Sequence, residues 1–181
     1  MKNLRKFSVL ASTMLFATFI MPLNGSAQNA PKVSDPQIAS IAVTANQIDV
    51  DYGKIALKKS KNESVRRFAQ TMIDDHNGVI KMCVDLATKL GVTPETNDIT
   101  KSLLADSKKI TKTLNSKTGA AFDKAYIDNE VSYHEAVIST VENVLIPQAQ
   151  NAELKALLVK VLPALKAHLE HAKMVQKEFS K

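Results

Sequence analysis

Four histidines are the residues of this chain with the clearest capacity for chemistry. His76, His134 and His168 each lie on or beside the apolar stripe of a different predicted helix, and we call these three the core histidines. An imidazole inside a helical core requires a hydrogen-bond partner or a metal ion. The pattern therefore predicts that the core histidines meet in the protein interior, where they would bind zinc, iron or copper.

The heights of these residues along their helices favour some contacts over others. Asp49 and His76 flank the first predicted turn and differ in height by about 4–5 Å at 1.5 Å per residue, so they can meet. His134 and His168 differ by about 7–8 Å on the same measure, which is more than a helical turn. We therefore expect contact between His134 and His168 to be less favourable than contact between Asp49 and His76.

Other polar side chains would complete or support the ligand set. Glu130 lies one turn before the histidine of the third long helix, and Asp75 directly precedes the histidine of the second. Either carboxylate can orient an imidazole from behind. His171 follows His168 by three residues and offers a second imidazole on the same face. We therefore include Asp49, Asp75, Glu130 and His171 as additional or supporting residues.

The same pattern is compatible with purely structural histidines that donate hydrogen bonds to carboxylates or hydroxyls. The sequence contains no nucleophile–base arrangement, no strained-elbow serine and no glycine-rich phosphate loop, so no enzymatic activity is predicted. No histidine follows a glutamate by three residues, which argues against a ferritin-type di-iron centre. Two functions remain open: metal binding, or a non-enzymatic cell-envelope or stress-related interaction module.

Four long helices must position these residues. Apolar residues recur every three or four positions in four segments, residues 35–59, 63–90, 120–145 and 152–179. Gly91 is typical of a residue that ends a helix, and the polar stretch that follows carries a short helix near residues 98–114. The pattern predicts an all-α, ferritin-like four-helix bundle with a long connection between its second and third helices.

The amino terminus predicts export. Three basic residues precede an apolar run over residues 7–23, and Gly25-Ser26-Ala27 then supplies small residues for cleavage. We expect a signal peptide over residues 1–27, a linker over 28–33, a bundle domain over 34–181 and a mature protein in a bacterial periplasm. An uncleaved anchor is the alternative, but the run is short against a span of about 20 residues. No later segment is apolar enough to span a membrane.

Charge and cysteine content exclude other classes of function. Removal of the three basic residues of the signal lowers the formal net charge from +6 to +3, and the remaining basic residues are scattered. Nucleic-acid binding is therefore not expected. Cys83 is the only cysteine, so the chain has no internal disulfide, and its place on an apolar stripe predicts a buried thiol.

Three motifs resemble those of a known family. Residues 65–76 (VRRFAQTMIDDH), residues 122–126 (FDKAY) followed by His134, and residues 162–169 (LPALKAHL) occur in this order across the mature chain. They resemble the V-x-x-F-A-x-x-M-x-x-D-H, F-D-x-x-Y and L-P-x-L-x-x-H-L motifs of the DUF4142 family. The resemblance implies a ferritin-like bundle, exported by bacteria, whose biochemical role is not established.

The resemblance also bears on individual residues. Asp75 and the core histidines match the polar positions of the family motifs. The first helix departs from the family, because Asp49 and Asp51 stand where the family tends to carry glutamate. An aspartate reaches less far than a glutamate, so the resemblance weakens the expectation that the first helix supplies a ligand.

Overall fold

The computed structural model describes residues 31–179, so the predicted signal peptide and half of the predicted linker, residues 28–30, lie outside the described residues. Within this range the chain is helical and contains no strand, in agreement with the predicted all-α class. The helices are α1 (Asp35–Lys59), α2 (Glu63–Leu90), α3 (Asp98–Ser116), α4 (Gly119–Thr140), α5 (Ile146–Gln148) and α6 (Ala152–Gln176).

The observed helices agree with the prediction at the start of the chain and differ from it later. The bounds of α1 and α2 coincide with the predicted ones. Helix α3 has 19 residues and is longer than the short helix expected there. Helix α4 is followed by a π-helical turn over Val141–Leu145 and then by α5, so the helical path continues to Gln148. A 3-10 turn over Lys177–Phe179 extends α6.

Side-chain caps define where several helices begin. Asn62, Asn97 and Asn151 precede α2, α3 and α6, and the side-chain oxygen of each accepts a hydrogen bond from a backbone N–H of the first turn. Gly91 ends α2 in the left-handed conformation with φ of 63°, which glycine adopts without steric cost. The predicted stop at Gly91 is therefore confirmed.

Polar contacts show how the helices run relative to one another. Lys173 of α6 pairs with Glu135 of α4 at 3.3 Å, and Lys166 pairs at 2.7 Å with Glu142 in the π-helical turn that continues α4. Helices α4 and α6 are therefore antiparallel. Helices α1 and α2 are joined by a turn of three residues and also pack antiparallel. Helix α3 lies beside α1 in the same direction, since Ser40 contacts Thr100 near one end while Lys59 donates to carbonyl oxygens at the end of α3.

Two apolar clusters form the core. The Tyr52 cluster is built around Ile48, Tyr52, Phe68, Met72, Phe122, Tyr126, Ile127, Val131 and Ala172. The Ile38 cluster is built around Ile38, Ile41, Ile138, Val141, Leu145, Leu154, Leu158 and Leu165. Both contain residues of α1, α4 and α6, at different heights along each helix. The space between the two clusters is therefore enclosed by the same helices.

Cys83 is 8% exposed and belongs to the buried core, which confirms the predicted buried thiol. Burial raises the pKa of this thiol to about 11, so it stays protonated at neutral pH. Among residues 31–179, no helix combines the length and the apolar character that crossing a bilayer requires.

Gly53 allows α1 and α2 to pack closely, and its replacement by alanine is expected to destabilise the fold. An added Cβ would lie 2.8 Å from Cγ1 of Ile73 and 3.0 Å from the carbonyl oxygen of Ala69. Overpacking costs about 1–3 kcal/mol, which outweighs a gain in helix propensity of about 1 kcal/mol. Gly78→Ala is the matched control, because a Cβ there meets nothing within 4 Å. Urea unfolding should show a lower midpoint for Gly53→Ala and a higher one for Gly78→Ala; equal shifts would contradict the close approach.

Candidate metal centre

The core histidines form one compact, buried group. His76 from α2, His134 from α4 and His168 from α6 are 3%, 1% and 7% exposed. Their ring centroids are 5.7 Å apart for His76 and His134, 5.2 Å for His76 and His168, and 5.6 Å for His134 and His168. One ring nitrogen of each lies within 4.8 Å of the corresponding nitrogens of the other two. Three helices therefore bring three imidazoles to one point.

The histidine group lies between the two apolar clusters. On α4, His134 is flanked by Val131 of the Tyr52 cluster and Ile138 of the Ile38 cluster. On α6, His168 is flanked in the same way by Leu165 and Ala172. Because apolar side chains close the core above and below, the imidazoles occupy a buried layer in which an unpartnered polar atom is costly.

The expected mismatch in height between His134 and His168 is wrong. The prediction assumes a helix that ends at residue 145, whereas the π-helical turn and α5 carry the helical path on to Gln148. His134 is then 14 residues from that end and His168 is 16 residues from the start of α6. The difference of two residues corresponds to about 3 Å, so the two rings can meet.

His76 is held by two residues of α1. Its Nδ1 lies 2.6 Å from Oδ1 of Asn46, whose amide nitrogen donates to the carbonyl oxygen of Ala42. The amide oxygen of Asn46 is therefore an acceptor, and Nδ1 of His76 carries the proton. Its Nε2 lies 3.2 Å from Oδ2 of Asp49. Sequence reasoning missed Asn46, although a polar residue one turn before Asp49 on the same helix was a usable signal.

His134 is oriented by its own helix. Its Nδ1 lies 2.9 Å from the backbone carbonyl oxygen of Glu130. A carbonyl oxygen only accepts hydrogen bonds, so Nδ1 is the protonated nitrogen. Its Nε2 is 3.5 Å from Oδ2 of Asp49, and Nδ1 is 3.6 Å from Oε2 of Glu130. The expected support from Glu130 thus comes through the backbone oxygen rather than through the carboxylate.

His168 is oriented by Asp75 from the neighbouring helix. Its Nε2 donates to Oδ2 of Asp75 at 2.9 Å, and the Asp75 side chain is 53% exposed. Asp75 was expected to orient His76, its neighbour in sequence, but it supports a histidine 93 residues away. The reason is helical geometry, since consecutive side chains on a helix point in different directions.

Each core histidine consequently has one satisfied and one free ring nitrogen. Nε2 of His76, Nε2 of His134 and Nδ1 of His168 are buried and have no hydrogen-bond partner among the described residues. In each ring the opposite nitrogen faces an acceptor, so the free nitrogen of the neutral imidazole carries the lone pair. This is the arrangement of metal-binding histidines, whose other N–H is held by a carboxylate or a carbonyl.

The pKa shifts favour neutral imidazoles beside one carboxylate. Burial lowers the pKa of both His134 and His168, and the neighbouring imidazoles lower them further. Burial acts to raise the pKa of Asp49, yet its contact with His76 and the charges of the imidazoles lower it below the usual value. Burial and the charge of Asp49 raise the pKa of Glu130 well above its usual value. Burial thus favours neutral imidazoles at His134 and His168 beside the carboxylate of Asp49.

Asp49 reaches this group despite its short side chain. It is fully buried, and its Oδ2 lies close to the free nitrogens of both His76 and His134. Asp49 of α1 therefore lies close enough to the histidines to contribute a ligand, although its side chain is shorter than that of glutamate. Asp51, two residues later, instead contacts Gln47 and Lys54 at the surface.

His171 does not join the group. Its ring meets that of Phe68 edge to face, with centroids 5.1 Å apart. A spacing of three residues turns the side chain by about 300° and moves it 4.5 Å along the helix, which is enough to leave the layer of His168. His171 therefore serves as a natural comparison for His168 in the experiments below.

A cavity of about 770 Å³ adjoins the histidine group. Asp49 and the core histidines line it, and most of its remaining wall is contributed by apolar residues of five helices. Cys83 also lines the cavity, but the high pKa of its thiol makes it a poor ligand. The cavity therefore borders the buried histidine group.

Two solved structures share this fold. A DUF305 protein of Streptomyces coelicolor, described as secreted, superposes with a TM-score of 0.68 at 13% identity, over 80% of this chain and 92% of that one. CopM in a Cu(II)-bound form superposes with a TM-score of 0.62 at 14% identity, over 82% of this chain and 99% of that one. At these identities the likeness concerns the fold alone.

Sequence comparison is consistent with the motif resemblance. No curated protein matches this sequence significantly. The model of the DUF4142 family, described as a domain of unknown function, matches residues 21–175. This match includes α1 to α5 and nearly all of α6, and with them Asp49, Asp75 and the core histidines. The chain therefore belongs to the DUF4142 family.

Proposed function

We propose that this protein is an exported, ferritin-like four-helix-bundle protein that binds a transition-metal ion in its interior. Nε2 of His76, Nε2 of His134 and Nδ1 of His168 serve as ligands, and a carboxylate oxygen of Asp49 serves as the fourth. The observation that carries the proposal is the set of three buried, unpartnered nitrogens whose opposite nitrogens are each held by an acceptor. Because α1, α2, α4 and α6 each contribute one ligand, a single ion would link all four helices. It would do so in a chain that has no internal disulfide.

The alternative, an interaction module with structural histidines, accounts less well for these atoms. A structural histidine in a core normally pairs its polar atoms, because an unpaired buried polar group costs about 1–3 kcal/mol. Here three imidazoles each leave one nitrogen unpaired in the same layer, beside a carboxylate that also lacks hydrogen bonds. A single cation would satisfy all four residues at once.

The donor set indicates the class of metal. Three imidazoles and one carboxylate suit zinc, copper(II) or iron, while the absence of a thiolate in the group disfavours softer ions. The Cu(II)-bound form of CopM, a protein with a similar fold, lends support to copper as one candidate. The choice among the three metals is a matter for direct measurement.

Elemental analysis and thermal melts test the proposal. Protein purified without chelators should carry about one metal ion per chain, and chelation should lower its melting temperature. Free metal at 100 times its dissociation constant should stabilise the fold by about 2.7 kcal/mol, since the unfolded chain cannot preform the site. If zinc, copper and iron all leave the melting curve of the chelated protein unchanged, the histidines are structural.

Asp75→Ala is expected to weaken metal binding about 10- to 100-fold, the usual effect of removing a residue that orients a ligating histidine. Without the carboxylate, Nε2 of His168 loses its acceptor and the ring no longer presents Nδ1 to the group. Asp74→Ala is the control, because Asp74 accepts a hydrogen bond from Gln70 at the surface instead. Titration calorimetry with zinc would compare the two. Equal affinities would show that Asp75 does not position His168.

Export rests on the predicted signal peptide, and it is consistent with the description of the DUF305 protein of similar fold as secreted. We expect the mature chain to begin at Gln28 and to reside in the periplasm. Intact-mass measurement of the protein from its native host would locate the cleavage site. Material that retains residues 1–27 would overturn this part of the proposal.

A further inference from the structure

Two buried carboxylates adjoin the histidine group, and a four-coordinate ion held by the three core histidines uses only one of them. Asp49 and Glu130 are 0% exposed, and all four of their carboxylate oxygens are buried without a hydrogen-bond partner among the described residues. One atom each from Asp49, Glu130 and His134 lie within 4.8 Å of one another. This second group of potential ligands shares His134 with the first but adds a carboxylate that the histidine site does not use.

An ion at the core histidines leaves several carboxylate oxygens of the group without a partner. A four-coordinate ion there takes three nitrogens and one oxygen of Asp49. The second oxygen of Asp49 and both oxygens of Glu130 then remain buried and unpartnered. Two carboxylates facing each other in an apolar core repel unless one of them is protonated or a cation lies between them. The raised pKa of Glu130 corresponds to the first case, and a bound cation would replace that proton.

The hydroxyl of Tyr126 is a further unsatisfied oxygen on the same side. Tyr126 lies one turn before Glu130 on α4, is 0% exposed and has no hydrogen-bond partner among the described residues. The charges of Glu130 and Asp49 act on it, as its raised pKa shows after the larger effect of burial. Tyr126 and Glu130, four residues apart on one face of α4, therefore both leave buried oxygen atoms without a hydrogen-bond partner among the described residues.

We propose that Asp49 and Glu130 form a second cation position, with Asp49 bridging it to the ion held by the core histidines. Oxygen donors select a harder divalent cation such as Mn²⁺, whereas imidazoles select zinc, copper or iron. This inference rests on the proposed function, because Asp49 is taken to bind both ions. The protein would then bind two cations, a transition-metal ion at the core histidines and a harder divalent cation between Asp49 and Glu130.

A sequential titration tests the second position apart from the first. Chelated protein is loaded with zinc until one ion per chain is bound, and Mn²⁺ is then added while the electron paramagnetic resonance signal of free Mn²⁺ is recorded. We expect about one Mn²⁺ to be taken up per chain. Glu130→Gln should keep the zinc and weaken Mn²⁺ binding by about 100-fold or more, since a charged ligand is lost. Glu135→Gln, an exposed change on the same helix, should leave both ions bound.

The outcomes separate this inference from the proposed function. Zinc bound without any uptake of Mn²⁺ would overturn the second position and leave the first intact, and so would Mn²⁺ uptake that Glu130→Gln does not reduce. If zinc does not bind, copper(II) or iron takes its place in the titration. If none of the three binds, the proposed function fails; Mn²⁺ titration of the chelated protein then supports the carboxylate position if Glu130→Gln abolishes uptake, and overturns it otherwise. Circular dichroism checks folding of each variant, and Glu130→Asp replaces Glu130→Gln if the latter does not fold.

Discussion

Replacing His168 with glutamine is expected to remove tight zinc binding, whereas replacing His171 with glutamine should leave it unchanged. The two histidines lie three residues apart on α6, but His168 joins the core histidines and His171 packs against Phe68. Zinc sites of four ligands contribute about 10–16 kcal/mol. One ligand is therefore worth about 3 kcal/mol, which corresponds to more than a 100-fold loss of affinity.

Titration calorimetry with zinc, together with thermal melts of the chelated variants, would measure this difference. The melts matter because both variants must fold without metal for the affinities to be compared. Glutamine retains a polar side chain of similar length, so it limits the cavity left in the layer. Equal zinc affinities of the two variants would show that the group around His168 is not the metal site.

Without metal, the protein is expected to lose stability as the pH falls below about 6.5, the ordinary pKa of histidine. The pKa of His134 and of His168 is lowered in the fold, mainly by burial. At pH values between about 6.5 and the lower pKa values in the fold, these two histidines are protonated in the unfolded chain and neutral in the folded chain. Each of the two histidines then reduces the free energy of unfolding by at most about 1.4 kcal/mol per pH unit.

Glu130 acts in the opposite direction, because its pKa is raised in the fold. It costs stability as the pH rises above about 4.5, where the unfolded chain releases a proton that the folded chain retains. Comparison of the wild type with His168→Gln at each pH isolates the contribution of one histidine. Urea unfolding from pH 8 to pH 5 in a chelator should show a shallower decline for the variant. Parallel curves would contradict the lowered pKa of His168.

The affinity for zinc should also depend on pH, through the protonation of the same histidines. A bound ion requires unprotonated imidazoles, so protons compete with it only where the folded protein can take them up. Since the pKa of His134 and of His168 is lowered in the fold, zinc affinity should still hold at about pH 6.5 and decline only at the lower pH where the folded protein protonates them. Loss of affinity already between pH 8 and pH 7 would contradict neutral, buried ligands.

Local sequence determined the helices and the residues that face inward. The predicted bounds of α1 and α2 are correct, and both ends of α2 are set by Asn62 and Gly91, which act within a single turn of chain. The same periodicity placed all three core histidines on buried stripes, since helix geometry alone decides which side chains share a face. Cys83 was correctly expected to be buried for the same reason.

Contacts between helices were decided only by tertiary structure. The π-helical turn and α5 lengthen the path after α4, and this moves His134 to the height of His168, which the periodicity of either helix alone cannot reveal. Asp75 supports His168 rather than its neighbour His76, and Asn46 supports His76 from another helix. Partners across helices depend on relative height, rotation and spacing. These are fixed by the packing of the two apolar clusters as a whole, so no single stretch of sequence specifies them.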